Sequence, residues 1–168
     1  MEGNEEQAVR ASADGSEARN TVKPVYEVIW DEPGELLTTR TRSPIAVTEV
    51  AAFKSALVEA LARVPAESTF LWLSSAVGYH PLADRASHQQ LRSVVPLTLA
   101  AYGVRTSLLD IYEDGAITIS RTRGIVCRAI AHVHHDAKKM TTLDARLGRS
   151  NERYFADEQT AMAWLAVQ

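Results

Sequence analysis

The chain has 168 residues, 46% hydrophobic and 23% charged, with a net charge of −3. That is enough chain for one domain with a real core, and the slight acidity argues against a dedicated nucleic-acid binder, which carries a basic excess. A single cysteine, Cys127, rules out an internal disulfide and a cysteine zinc cluster; with no apolar run of bilayer length and an acidic, polar N-terminus, a cytoplasmic protein without an integral membrane segment is expected.

Residues 1–22 are rich in Glu, Ser, Ala, Asn and Gly and nearly devoid of large apolar side chains. Ordering them would cost backbone entropy that no burial offsets, so a flexible polar leader is expected, with the folded domain over 23–168. Val25 to Trp30 alternates in strand fashion, with Tyr26, Val28 and Trp30 on one face and Val25, Glu27 and Ile29 on the other. Asp31-Glu-Pro-Gly34 turns the chain, and the threonine-rich Leu36 to Arg42 returns as a second strand whose polarity predicts a place near a sheet edge. Thr48 is a candidate N-cap with Glu49 in the first turn. Val50, Phe53, Leu57, Leu61 and Val64 then recur at helical spacing until Pro65.

Thr69-Phe-Leu-Trp-Leu73 is apolar without alternation, the pattern of a central strand covered on both faces. After a loop from Ser74 to Pro81, Asp84 is placed to cap a second helix reaching about Tyr102, with Leu91, Val94, Val95 and Leu99 inward and a kink or interruption expected at Pro96. Thr106 to Tyr112 reads as a strand, and Ala116 to Gly124 suggests a short extra one. Ile125 to His134 is the next clear strand, followed by a helix from Ala137 to Leu147 that stops at Gly148. A last strand, Glu152 to Ala156, precedes a helix capped by Asp157 and docked by Ala161, Trp164 and Leu165. A hairpin start followed by alternating helices and strands predicts an α/β fold: a mixed β-sheet with helices packed on it, closing β-α-β-α.

Tyr26-Glu-Val-Ile-Trp30, Leu71-Trp-Leu73, and Asn151-Glu-Arg-Tyr-Phe155 running through Asp157-Glu158 to Ala163-Trp164-Leu165 together resemble the SpoIIAA-like domains, also described as STAS or Sec14-like. The resemblance covers roughly Lys23 to Gln168 and implies a bacterial regulatory or interaction module rather than an enzyme. In that family's anti-sigma factor antagonists the switch is a phosphorylated serine after a central strand, in an Asp-Ser-Ser-Gly-like setting. The nearest match is Leu73-Ser74-Ser75-Ala76-Val77-Gly78, where the preceding Asp is absent and the Gly is displaced. Ser74 and Ser75 are therefore candidate partner-binding residues.

Three of the five histidines fall within four positions, His132, His134 and His135, with Asp136 next. On a strand His132 and His134 share a face. Two such imidazoles with Asp136 can grip a metal ion, and His80, His88, Asp110 or Glu113 are available to complete a set of the size zinc needs. The alternative is a histidine set held by the strand end, available to a ligand or to protons. Cys127 in a strand reads as a small buried hydrophobe. No Gly-x-Ser-x-Gly elbow, Gly-x-Gly-x-x-Gly run or P-loop is present, so no nucleotide or other cofactor is expected. The late basic residues, Arg121, Arg123, Arg128, Lys138, Lys139, Arg146, Arg149 and Arg153, read as a solvated surface unless one face gathers them.

The sequence thus points to a non-catalytic domain that binds a protein partner or a small apolar ligand, with no nucleic acid and with dimerisation left open. The binding residues expected are His132, His134, His135, Asp136, Ser74 and Ser75, beside the loops Ser74 to Pro81 and Glu113 to Gly124. A metal-dependent hydrolase or lyase using His132, His134 and Asp136, and a lipid-binding Sec14-like module, are the alternatives.

Overall fold

A computed structural model describes residues 23–111 and 117–168. The expected leader and Glu113 lie outside them. The elements are β1 (Tyr26–Asp31), β2 (Leu36–Thr41), α1 (Val47–Ala62), β3 (Thr69–Ser75), α2 (Arg85–Ala101), β4 (Val126–Val133), α3 (Ala137–Leu147), β5 (Glu152–Phe155) and α4 (Glu158–Leu165). Two short 3₁₀ turns, Ser107–Ile111 and Thr122–Gly124, interrupt the connection from α2 to β4. The strands form one five-stranded mixed sheet in the order β1-β2-β3-β4-β5, antiparallel only between β1 and β2.

The central β3 explains the two-sided core. Phe70 and Trp72 point to the face covered by α1 and α2, where they meet Trp30, Phe53, Leu57, Leu61 and Leu99. Leu71 and Leu73 point to the other face, where Ala129, Ala131 and Val133 of β4 pack under Ala161 and Leu165 of α4. The small alanines of β4 let α4 approach closely, and Trp164 closes the edge against Phe155 with ring centroids 5.7 Å apart. Each buried Leu or Phe removed from water contributes about 1.5–3 kcal/mol, so both layers are needed to offset the entropy of ordering the chain. Helix α3 packs along β5, and the Asp144 carboxylate of α3 accepts from the Arg153 guanidinium and the Tyr154 N–H.

Several expectations are corrected. The edges are β1, with Ile29 exposed, and β5; the polar β2 lies near an edge as expected, but one strand in and paired on both sides. Its polarity is absorbed by specific partners: Thr39 Oγ1 accepts from Trp72 Nε1 at 2.9 Å, and Arg40 bridges Glu27 at 3.1 Å and Glu158 at 2.7 Å. Helix α1 is capped at Ala46, not Thr48, because the Glu49 carboxylate turns back to accept the Ala46 N–H at 2.6 Å. Helix α2 runs through Pro96 as one element. Ser107–Ile111 forms a 3₁₀ turn instead of a strand, since Thr106 and Ser107 must bend inward to reach Glu152. Within 117–124 there is a single bridge, Tyr102 to Arg121, and no strand. Arg123, at φ 57°, sends its guanidinium to the Ala62 and Val64 carbonyls at 2.9 and 3.0 Å and so caps the end of α1.

Candidate functional site

Strands β2, β3 and β4 run parallel, so their C-terminal ends lie together, the place where open α/β sheets bind ligands. Helix α2 crosses above those ends and leaves a cavity of about 160 Å³. Thr39, Thr41, Ser74 and His132 come to it from the sheet; His88, Leu91, Arg92, Val95 and Pro96 come from α2; and Tyr79 comes from the loop after β3. Alternation dictates this: Ser74 and His132 are cross-strand partners, pointing to the same face as Trp72.

Beneath His132 lies a buried polar network. His132 Nε2 is 3.1 Å from Glu152 Oε1, and the ring stacks on Tyr154 with centroids 4.8 Å apart and planes at 21°. The Tyr154 hydroxyl donates to the same carboxylate oxygen at 3.0 Å, the Ser107 N–H donates to the other at 3.0 Å, and the Thr106 hydroxyl also donates to the carboxylate. Glu152 is 1% exposed. Burial alone would raise its pKa, but the hydrogen bond and charge of His132, with Thr106 and the Ser107 N–H, outweigh it and hold the carboxyl at about 2. An ionised carboxylate only accepts, so His132 carries its proton on Nε2 and leaves Nδ1 as the ring nitrogen for any further contact. Burial, then the neighbouring Glu152 charge, pushes the Tyr154 hydroxyl far up, so it stays a neutral donor.

Across the cavity the Tyr79 hydroxyl meets His88 Nδ1 at 2.9 Å. Burial pushes Tyr79 up to about 12, with Asp84 adding to it. Burial lowers His88, and Arg92 and Lys139 lower it further. The cavity therefore carries hydroxyls and neutral imidazole on one wall and a carboxylate-backed imidazole on its floor.

The other expected residues divide. Ser74 and Ser75 both border the cavity, but the Ser75 side chain is buried on the opposite face of β3, towards Glu158 of α4. The Ser75 hydroxyl has no hydrogen bond of normal geometry, although it lies near enough to Glu158 to help lower that carboxyl, after Arg40. His134, His135 and Asp136 sit past the end of β4 in the turn to α3, where strand alternation no longer sets direction. Asp136 caps α3 by accepting the Lys139 N–H at 2.9 Å. His134 Nδ1 accepts the Asp136 N–H at 3.0 Å, and its Nε2 is buried beside the Tyr79 backbone without a hydrogen bond of normal geometry. His135 Nδ1 accepts the Gly78 N–H at 3.2 Å. His132, His134 and Asp136 are thus each committed to a different partner, and among the described residues no group of three His, Cys, Asp or Glu side chains is arranged to hold a metal ion.

Cys127 is buried and its thiol is pushed far up by burial, which suits a packing role. Three of the late basic residues have partners within the chain: Arg123 caps α1, Arg153 pairs with Asp144 and Arg149 donates to the Arg105 carbonyl. Glu152, Tyr154, Thr106 and Ser107 are residues of the candidate site that the sequence reading missed. The available signal was a glutamate in a short strand two places from an inward tyrosine.

A larger groove of about 430 Å³ lies between α1 and α2, lined by Leu57, Val58, Leu61, Val94 and Leu97. Its lining is mostly apolar, with Lys54, Ser93, Thr98, Tyr102 and Thr122 among it; the smaller cavity is the better candidate site because a carboxylate-backed imidazole and the Tyr79–His88 pair meet there. Among the described residues no helix is long and apolar enough to cross a membrane. Comparison with known proteins finds no matching family model, no matching curated protein and no matching solved structure.

Proposed function

We propose that this chain is a non-catalytic bacterial regulatory domain of the SpoIIAA-like kind. It takes a small ligand in the cavity over the strand ends and presents the surrounding loops to a protein partner. The observation that carries this reading is the cavity floored by His132, whose ring is fixed from below by the buried Glu152 carboxylate. Holding one imidazole nitrogen on a buried carboxylate leaves the other aimed and available, the arrangement that orients a ligand with few polar contacts. The element order, the antiparallel start and the docked Trp164-Leu165 helix support the SpoIIAA-like assignment. The volume sets the ligand class, since about 160 Å³ is below the range of drug-sized sites.

Ligand-observed NMR against a library of small polar fragments tests this. The reading expects weak binders that are lost in Val95→Trp, which fills the cavity from α2. Binders indifferent to that substitution would contradict it.

The apolar α1–α2 groove favours a second reading, a lipid-binding Sec14-like module. That reading predicts acyl lipid in an organic extract of the purified protein, displaced in Val58→Glu; a lipid-free extract counts against it.

A further inference from the structure

We propose that His80, His134 and His135 form a proton-sensitive latch on the loop that walls the cavity. The three rings lie in a row: His134 and His135 stack with centroids 4.2 Å apart, and His80 meets His135 edge-on with centroids 4.9 Å apart and planes at 62°. His80 belongs to the loop after β3, and His134 and His135 to the turn after β4. The row therefore joins the two segments at the mouth of the site.

The direction of the hydrogen bonds makes the junction sensitive to protons. His135 Nδ1 accepts the Gly78 N–H, and His134 Nδ1 accepts the Asp136 N–H. An imidazole accepts only through an unprotonated nitrogen, and the imidazolium is a donor on both sides. Protonating His135 therefore sets an N–H against the Gly78 N–H and breaks that tie between the loop and the β4–α3 turn, leaving His134 Nε2 beside the Tyr79 backbone. It also places like charges at ring-stacking distance.

The surrounding groups decide the balance. Lys139 from α3 adds positive charge beside His134, and Asp136 opposes it. The Asp136 carboxylate is itself occupied by the Lys139 N–H. The Arg42 stem, just past β2, passes near Gly78, but its guanidinium is bonded to Glu27 and the Pro24 carbonyl. Tyr79 and His88 face the loop from the cavity side, but their contact survives protonation because a hydroxyl both donates and accepts. Nearby cations oppose protonation and carboxylates favour it; acid loosens the junction because the imidazolium can no longer accept the Gly78 N–H. Tyr79 follows Gly78 directly and lines the cavity; the Gly78 carbonyl and the His80 N–H stay bonded to Ser43 at 3.0 and 2.8 Å, so protonation loosens that wall without freeing the whole loop. The consequence for ligand access rests on the reading of the cavity as a binding site; the latch itself does not.

Backbone amide exchange, followed by NMR on the unliganded chain and corrected for intrinsic rates, reads the latch directly. Protection at Gly78 is expected to fall about tenfold between about pH 7.5 and pH 5.5, the scale of one lost hydrogen bond. His135→Asn keeps an acceptor at the Nδ1 position that does not titrate, and is expected to keep Gly78 protection level across the range. Imidazole ¹⁵N shifts of the wild-type chain provide a check that needs no variant, with protonation at His135 Nδ1 tracking the loss of Gly78 protection. Equal wild-type protection at both pH values, or the same decline in His135→Asn, would overturn the latch. Either result leaves the fragment-binding test of the cavity untouched.

Discussion

At the scale of single residues, Glu152 is the position on which the site depends. It is a buried charge, and such a charge persists only when its partners surround it. Glu152→Gln keeps the shape but replaces an acceptor-only group with one that also donates, towards donors already in place. A loss of about 3 kcal/mol in urea unfolding is expected. Tyr154→Phe removes one donor and leaves the others, and should cost about 1 kcal/mol. If Glu152→Gln unfolds at the wild-type midpoint, the carboxylate is not held as described.

The residue scale also sets the pH profile. His88 and His134 are both lowered in the folded chain, burial being the largest cause in each. The unfolded state then binds more protons than the folded one as pH falls through the ordinary imidazole range, so their contribution is complete above that range and is lost below it. Glu152, held at about 2, and Glu158 and Asp144, both lowered chiefly by arginine hydrogen bonds, give a second loss below the ordinary carboxylate range. Stability should be highest at or above neutral pH, fall modestly towards pH 5, and collapse between about pH 4 and pH 2. Denaturant midpoints across that range check this; a maximum near pH 5 would contradict the neutral assignment of the two histidines.

At the scale of elements, α4 holds the second face of the sheet. Leu165 is 2% exposed among Leu71, Leu73 and the alanines of β4. Leu165→Ala leaves a cavity under a short helix and should cost about 3 kcal/mol; thermal unfolding unchanged from wild type would mean that α4 is not docked there. Elements with strong periodicity or end signals were legible in the sequence. The stripe of α1, the two-sided apolar β3, the limits of α3 and the Asp157 cap of α4 all follow from local chemistry. The described stretches 106–111 and 117–124 were not, because their shape answers to distant partners. Thr106 and Ser107 bend toward Glu152, 46 and 45 residues away, and Arg123 reaches back to carbonyls at the end of α1, as far as 62. Strand-like residues there yield to hydrogen bonds that no local pattern reports.

At the scale of the whole molecule, the parallel run β2-β3-β4 gathers Thr39, Ser74 and His132 at one end of the sheet, and the fourth parallel strand, β5, supplies the carboxylate from behind. The sequence marked His132 and Ser74 but grouped His132 with His134 and Asp136 by proximity along the chain. Folding separates them, because β4 ends at Val133 and the later residues serve the turn and the cap of α3. A site built across strands is visible only once their order is known.

The most direct measurement is a protein-observed NMR titration with whichever polar fragment binds best, following His132 Hε1 together with the amides of Thr39 and Ser74. The account predicts that these move together and saturate at one Kd while Val58 and Leu97 of the α1–α2 groove stay fixed. Shifts confined to Val58 and Leu97, with His132 unmoved, would contradict it.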